Sequence, residues 1–324
     1  MRIRSLGPSC IEATVVGLGT WAIGGWLWGG TDAERSVDAI RAGIDAGITL
    51  IDTAPAYGLG LAEELVGKAI KGRREELVIA SKCGLVWDTD KGTFHYPEFD
   101  KKLHCYLGRE SVKTEVEQSL KRLNIDCIDL MQTHWQDKTT PIEETMSALL
   151  ELKEEGKIRA IGVSNASTAQ MEEYRRVGPL DVDQERYNMI DRQCEEENLP
   201  YCQKNNIAFL AYSPLAMGLL TGKIGPDREF SGDDIRKDDP RFSKENREKA
   251  AAMLNAMKPI AEKYGLTLSQ LVIAWTVEQP GVTHALAGAR NPEQAIENAH
   301  AAEVELDRED VQTISGLIEK AQIA

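Results

Sequence analysis

Four side chains capable of joint acid–base work follow one another along the first half of this chain: Asp52, Tyr57, Lys82 and His134. A phenol has a pKa of ~10, too high for an efficient acid near neutrality. A nearby ammonium favours phenolate and lowers that pKa. A carboxylate beside the ammonium holds it in place and keeps it charged. Asp52, Lys82 and Tyr57 therefore read as a chain that tunes one phenolic proton, and His134 can hydrogen-bond and orient a carbonyl oxygen. Such a group suits protonation of an oxygen as a hydride arrives at its carbon. Taken singly, each has an ordinary reading: Asp52 a turn cap, Tyr57 an interfacial aromatic, Lys82 a solvated strand end, His134 a satisfied or surface histidine.

The elements that must position these residues form an alternation. Apolar, β-branched runs alternate with amphipathic segments, the pattern of βαβ units. Strand-like runs are 15–18, 49–51, 77–80, 128–131, 160–163, 182–184, 207–210 and 284–287. Asp52 ends the second run, with Tyr57 in the loop after it; Lys82 ends the third and His134 the fourth. Ser164 and Asn165 end the fifth, Gln184 the sixth, Tyr212 and Ser213 the seventh, and Gly288 to Arg290 the eighth. Eight strands with helical connections are what a closed (β/α)8 TIM barrel needs, and its strand ends form the one face where active sites sit. A doubly wound open sheet is the competitor, which strand counting alone leaves open. Capping-box patterns at Thr31–Glu34, Thr140–Glu143, Ser167–Gln170 and Thr267–Gln270 mark helix starts. Pro141 and Pro292 stand where a first helical residue belongs. The least regular stretch, Gly222 to Arg241, reads as a long loop that folds over a bound cofactor. The whole chain, 1–324, reads as one domain.

Composition narrows the function classes. The 324 residues are 42% hydrophobic and 28% charged, ordinary globular values. Lys plus Arg number 38 against 52 Asp plus Glu, a formal net charge of -14. That balance does not suit nucleic acid, although a local basic pocket can hold a small anion. The 6 Cys are scattered without a CxxC pair, and the 5 His show no metal-ligand spacing, so no metal is expected. No apolar run spans a bilayer and no signal h-region is visible, so the expected location is the cytoplasm, with no membrane partner. Two motifs fail on inspection. Gly17-x-Gly19-x-x-Ala22 does not open a helix directly, and Gly218 to Lys223 is one residue short of a P-loop and followed by Ile224. Cys83, beside Lys82, reads as a redox-active or a plain buried thiol.

The tryptophans are informative. Trp21, Trp26 and Trp28 follow the first run, Trp87 the third and Trp135 the fourth, which suggests an apolar substrate-pocket wall on one face. Packing within the loops is the plain alternative for Trp28 and Trp87. Trp275 lies in a helical pattern and reads as core.

With these residues in view, the chain resembles the aldo-keto reductase family. The motifs are Gly17-Leu18-Gly19-Thr20-Trp21, Ile51-Asp52-Thr53-Ala54-Pro55-Ala56-Tyr57-Gly58, Ala80-Ser81-Lys82, Asp129-Leu130-Met131-Gln132-Thr133-His134-Trp135, the run from Gly156 to Asn165, and Gln184-Glu185-Arg186-Tyr187-Asn188. The resemblance covers nearly the whole chain. It looks closest to the bacterial branch that includes general-stress and inositol-cluster reductases, which also resembles potassium-channel β subunits. It implies a barrel with an N-terminal β-hairpin and long loops at the C-terminal face, an NADPH cofactor bound in extended form, and a catalytic tetrad of Asp52, Tyr57, Lys82 and His134. It places Gly19, Thr20, Trp21 and Asp52 beside the cofactor. Ser164, Asn165 and Gln184 would hold the nicotinamide carboxamide, and Tyr212 would stack on the ring. Ser213, Pro214, Leu215, Gly218, Leu219, Gly222 and Lys223 would follow the pyrophosphate, and Gly288, Arg290, Gln294, Glu297 and Asn298 would surround the adenosine end. Two positions depart from the pattern: Gln136, where Pro is common, and Gln294, where some branches carry a phosphate-binding Arg. The implied activity is NADPH-dependent reduction of a small aldehyde or ketone. Two other classes remain open on sequence: a cofactor-binding regulatory subunit with slow turnover, and a Schiff-base aldolase or isomerase using Lys82. Substrate identity, reaction direction and oligomeric state are not readable.

Overall fold

Eight of the chain's strands close on themselves. A computed structural model describes residues 1–323. Among these, β3 (Val16–Gly19), β4 (Leu50–Asp52), β5 (Val78–Cys83), β9 (Ile128–Thr133), β10 (Ile158–Ser164), β11 (Val182–Arg186), β12 (Ala208–Tyr212) and β13 (His284–Gly288) form a closed barrel. Every neighbouring pair in it is parallel, and β13 returns to β3. The open-sheet alternative is thereby excluded, and each of the eight expected runs overlaps one barrel strand. A two-stranded antiparallel hairpin, β1 (Ile3–Ser5) with β2 (Glu12–Thr14), precedes the barrel.

The strands read as apolar runs because they are covered on both sides. Inside the barrel, Leu50, Val78, Ala80, Leu130, Ala160, Val182, Ala208, Leu210 and Leu286 pack together, joined by Leu6, Ile11 and Ala13 from the hairpin segment. The hairpin therefore plugs one end of the barrel. Outside it lie α1 (Ala33–Asp45), α2 (Leu61–Ala69), α3 (Arg109–Leu123), α4 (Ile142–Glu154) and α5 (Thr168–Val177). They are followed by α6 (Asn198–Asn205), α7 (Lys244–Lys263), α8 (Leu268–Val277), α9 (Pro292–His300) and α10 (Arg308–Ala321). Trp275 on α8 is fully buried and stacks on Tyr187, as its helical pattern implies. No described helix is long and apolar enough to cross a membrane.

Helix starts divide by chemistry. Ser167 and Thr267 make complete capping boxes with Gln170 and Gln270. Asn291 caps α9, with Pro292 as its first residue. At α1 the cap is Asp32, not Thr31: the Asp32 carboxylate accepts from the Arg35 N–H at 3.0 Å. An anionic acceptor also suits the positive end of the helix dipole better than a hydroxyl. At α4 the expected box is absent, because Thr140 donates instead to Asp137 Oδ2 at 2.6 Å. Pro141 stands just before α4 rather than inside it.

One element has no counterpart in the sequence reading. After β5 the chain builds an antiparallel sheet of β6 (Leu85–Val86), β8 (Lys101–Cys105) and β7 (Thr93–Glu98), in that order. Its edge strand β7 carries exposed Phe94 and Pro97, and its middle strand β8 opens on exposed Lys101 and Lys102. That mixture hides the alternation by which strands are recognised. The segment 222–241 is irregular as expected, interrupted only by short 3-10 turns at Ile235–Lys237 and Pro240–Phe242.

His284 opens β13 inside this frame with 0% exposure. Its ring nitrogens meet Thr283 Oγ1 at 2.9 Å and the Arg4 carbonyl at 3.3 Å. Burial pushes its pKa down to about 4. The unfolded chain therefore binds a proton that the folded chain refuses between about pH 6.5 and 4, and stability drains away as pH falls through that window. In urea titrations, wild type should lose about 2–3 kcal/mol more than His284→Gln between pH 7 and 4.5. Parallel losses in the two proteins would refute the assignment.

Candidate active site

Side chains two residues apart on a strand share a face. Two residues beyond the apolar layer of Leu50, Ala80, Leu130, Ala160, Val182, Leu210 and Leu286 come Asp52, Lys82, Gln132, Gly162, Gln184, Tyr212 and Gly288. The barrel interior thus changes from apolar to polar in one step, at the C-terminal ends of its strands. Lys82 Nζ donates to Asp52 Oδ1 at 2.6 Å, to the Thr53 carbonyl at 3.1 Å and to Tyr57 Oη at 3.2 Å. The second Asp52 oxygen accepts from Gln184 Nε2 at 2.9 Å and Gln132 Nε2 at 3.4 Å. Gly162 gives Gln132 its room, since a Cβ there would stand 2.8 Å from Gln132 Cγ. Lys82 and Asp52 are only 1% and 3% exposed.

Tyr57 and His134 meet edge to face, ring centroids 5.6 Å apart. The four residues named from strand ends are therefore brought together. Burial, with smaller contributions from Asp52 and Tyr212, pushes the Tyr57 phenol well above its usual range. The expected lowering by Lys82 is corrected here: Asp52 lies against the ammonium, so opposite charges largely cancel at the phenol while desolvation remains. Tyr57 holds its proton until a stronger base appears beside it. Burial, then Lys82 and His95, holds His134 well below its usual value. Its imidazole is neutral and serves as a hydrogen-bonding group, not a cation.

Around this centre the residues expected beside a cofactor line one side of the mouth. Ser164 Oγ donates to the Gln184 carbonyl at 2.7 Å, and Asn165 Nδ2 to the His134 carbonyl at 2.9 Å. Tyr212 Oη donates to Asn165 Oδ1 at 2.9 Å, with the Arg186 guanidinium 5.9 Å from its ring. Gln136, the departure from the family pattern, ties these ends together. Its amide donates to Thr133 Oγ1 and the Ser164 carbonyl, both at 3.0 Å, and accepts from Tyr174 Oη at 3.1 Å. Thr20 Oγ1 donates to the Asp52 carbonyl at 2.9 Å.

Away from the tetrad lie the residues expected along the rest of an extended cofactor. Gly19 and Gly288 are partners on β3 and β13, and a Cβ at Gly288 would have only the Gly19 carbonyl within 4 Å, at 3.8 Å. The segment after Tyr212 is an unusual run of left-handed backbone: Ser213, Ala216, Met217, Gly218 and Gly222 all have positive φ. Pro214, Leu215 and the buried Leu219 fall within it. The Ala216, Gly218 and Leu220 N–H groups are taken up within the turn, by the Ser213 and Leu215 carbonyls. Further out, Lys223 pairs with Glu297 on α9 at 2.5 Å, and Asn298 donates to the Gly288 carbonyl at 3.1 Å. Arg290 Nη2 reaches the Gly30 carbonyl at 3.0 Å, and Gln294 Oε1 accepts from the Arg290 N–H at 2.9 Å. The long loop closes over this side. The Ile235 N–H donates to the Leu27 carbonyl at 3.1 Å, Asp233 accepts from the Leu27 N–H at 3.3 Å, and Arg236 lies 5.2 Å from the Trp28 ring.

The tryptophans meet in two sets of contacts. Trp21 and Trp28 meet edge to face at 5.2 Å. Trp26 stacks on Tyr96 at 5.2 Å, and Trp135 packs on His95 at 4.7 Å. Trp87 and Trp135 pack on the cluster of Ala56, Leu85, Leu103 and Cys105, and Trp87 also lines a separate cleft with Tyr106 and Glu115. Sequence reasoning missed His95, Tyr96 and Gln132; the first two ride on the unanticipated sheet, whereas Gln132 was legible as the inward residue two beyond Leu130. Cys83 is a plain buried thiol, with burial and then Glu115 pushing it well up. No group of described residues could hold a metal ion.

A parallel barrel whose mouth joins a phenol, an ammonium–carboxylate pair and a neutral imidazole agrees with what direct comparison finds. The model of the aldo/keto reductase family matches residues 15–319, and the chain belongs to that family. It is 44% identical over 322 residues to Aldo-keto reductase YhdN of Bacillus subtilis, covering 98% of this chain and 94% of that one. It is 42% identical over 316 residues to the NADH-specific methylglyoxal reductase of Escherichia coli, covering 96% of each. The solved glycerol dehydrogenase of Gluconobacter oxydans superposes with a TM-score of 0.89 at 40% identity, over 99% of this chain and 96% of that one. An aldo-keto reductase from Klebsiella pneumoniae solved with NADPH does so with a TM-score of 0.74 at 31% identity, over 98% and 96%.

The buried pair has a measurable consequence. Lys82→Met leaves Asp52 buried with amide partners alone, which should cost about 3–5 kcal/mol in urea unfolding. Adding Asp52→Asn removes the orphaned charge, so the double variant should be more stable than Lys82→Met. A double variant less stable than the single one would contradict the pairing argument.

Proposed function

We propose that this chain reduces small aldehydes or ketones to alcohols with NADPH, Tyr57 acting as general acid. The observation that carries this reading is that Tyr57 joins Lys82 Nζ, 3.2 Å from its Oη, to the His134 ring, whose centroid lies 5.6 Å from its own. A carbonyl oxygen placed between Tyr57 and His134 accepts from the phenol and from the imidazole, which lies neutral there. The nicotinamide, when bound, supplies the hydride to the carbonyl carbon. As negative charge grows on the oxygen, it becomes a stronger base than the phenolate and takes the Tyr57 proton. Lys82 then stands against the phenolate left behind, and Asp52, Gln132 and Gln184 keep Lys82 aimed. Ser164, Asn165 and Gln184 face the carboxamide, and Gly19, Gly288 and the 213–222 backbone leave room for the rest of the cofactor. Lys82 is a poor Schiff-base nucleophile in this setting, fully buried and held by three oxygens.

The wider reading places the chain in the bacterial branch of general-stress and inositol-cluster reductases, acting in the cytoplasm. The six cysteines, all free, suit a reducing compartment. Activity is tested by NAD(P)H oxidation against a panel of aldehydes, ketones and sugars that includes methylglyoxal, and by the reverse reaction with glycerol. Tyr57→Phe keeps the ring and removes the proton. It should lower kcat by ~10²–10⁴ with cofactor affinity retained. Near wild-type turnover in this variant would sink the assigned acid.

Cofactor choice rests on Arg290. It stands at the start of α9, where helix N–H groups and a guanidinium together favour a 2′-phosphate. With Gln294 spent on the Arg290 N–H, Arg290 carries that contact among the residues expected at the adenosine end. Arg290→Ala should weaken NADPH binding by about 10- to 100-fold and leave NADH nearly unchanged. Equal losses for the two cofactors, or a wild type that prefers NADH, would remove the phosphate-reading role.

A further inference from the structure

The backbone that presents Tyr57 is strained and must be held. Gly58, Leu59 and Gly60 follow it with φ of +67, +53 and +102°. A left-handed leucine is costly on its own and persists only where its surroundings determine it. On one side the turn rests on Gly24: a Cβ at Gly58 would stand 2.4 Å from the Gly24 carbonyl oxygen, and one at Gly24 would stand 2.6 Å from the Tyr57 carbonyl carbon. The Tyr57 and Gly58 carbonyls accept the N–H groups of Ala62 and Leu61, at the start of α2. The remaining side is covered by one carboxylate. Glu98 Oε1 accepts from the Gly58 N–H at 2.9 Å, and the same group is hydrogen-bonded to the Leu59 N–H.

Glu98 comes from the end of β7, forty residues away in the chain. It is 1% exposed. Its neighbour across the ribbon, Lys101, turns its ammonium to Asp100 at 3.6 Å instead. No described Lys, Arg or His is paired with Glu98. Burial pushes its carboxyl up to about 7, against the pull of the two N–H groups. A carboxylate buried without a counter-ion is expensive. Its partners are the two amides that immediately follow Tyr57.

We propose that Glu98 is a positioning residue, through which the β7–β8 ribbon fixes the Tyr57 turn and keeps the phenol at Lys82. This rests on Tyr57 being the proton donor. Glu98 touches neither substrate nor cofactor; it acts through the Gly58 and Leu59 amides. The ribbon also carries Tyr96, stacked on Trp26, and His95, packed on Trp135. The element that walls the mouth is therefore the element that aims the acid.

The test uses the full chain, NADPH and the best carbonyl of the panel, with kcat, KM and NADPH affinity by fluorescence titration read separately. Glu98→Ala removes the acceptor, and kcat should fall about 10- to 100-fold, as a misplaced reacting group does. NADPH affinity should stay at the wild-type value. Glu98→Gln keeps one oxygen for the Gly58 N–H and should restore most of kcat. Glu98→Asp keeps the charge but is one methylene short, so it should turn over more slowly than Glu98→Gln, and it serves if the alanine variant does not fold. Wild-type kcat in Glu98→Ala overturns the proposal. So does an equal loss in Glu98→Ala and Glu98→Gln, a Glu98→Asp as fast as Glu98→Gln, or a kcat loss matched by lost NADPH binding. A wild type inert towards every carbonyl overturns the reductase reading and this proposal with it, whereas an active wild type equalled by Glu98→Ala overturns the role of Glu98 alone.

Discussion

The contact on which this molecule turns is the ion pair of Lys82 and Asp52, 2.6 Å long and almost wholly buried. Two charges removed from water lose several kcal/mol of solvation each, and only good geometry with full hydrogen bonding recovers it. The barrel meets that requirement from four of its strands and the loop after β4. Asp52 receives Lys82, Gln184 and Gln132; Lys82 reaches Asp52, the Thr53 carbonyl and Tyr57. An amide network replaces the water that the pair has lost. The Tyr57 hydroxyl is the one side chain in this set that lies on a loop, and thus the one that loop geometry can tune.

A closed parallel barrel is well suited to such a pair. The strand period of two stacks layers, so one residue type at each inward position decides whether a layer is apolar or polar. Here the apolar layer from Leu50 to Leu286 is sealed from below by Leu6, Ile11 and Ala13. The charged layer above it can therefore face only the mouth. Gly162 shows how narrow the tolerance is: the polar layer is complete only because one strand contributes no side chain where Gln132 must lie.

Legibility in the sequence followed from the same physics. The eight barrel strands are covered on both faces, so they stand out as apolar runs, and the tetrad was found because its members end consecutive runs. The antiparallel sheet was not legible: Thr93 to Cys105 mixes His95, Pro97, Glu98 and two exposed lysines with no sustained alternation. With it went His95, Tyr96 and Glu98, whose importance comes from where a ribbon folds rather than from any local motif. Ser167 and Thr267 were read as caps because each serine or threonine has no better local partner. Thr31 and Thr140 were misread because a carboxylate, Asp32 or Asp137, competes for the same N–H or hydroxyl. The direction of the Tyr57 shift was misjudged for a related reason. Spacing put an ammonium and its carboxylate near the phenol, but did not show how deeply the phenol is buried, and burial is the largest cause of its shift.

The two ends of the candidate site are built to different standards of rigidity, and the difference fits their tasks. At the chemical end, buried groups hold one another through short bonds, and even the strained Tyr57 turn is fixed by Gly24, α2 and Glu98. A proton can be transferred only over a short distance, so tolerance there is tight. At the far end the contacts are solvent-facing: Lys223 with Glu297, Arg290 with Gly30, and the 222–241 loop on Leu27 and Trp28. The one ion pair among them, Lys223 with Glu297, contributes little and is screened by salt. These contacts can break one at a time. Under the proposed function a large cofactor would enter and leave beneath that loop, and a closure made of several weak contacts would let it do so without disturbing the buried pair.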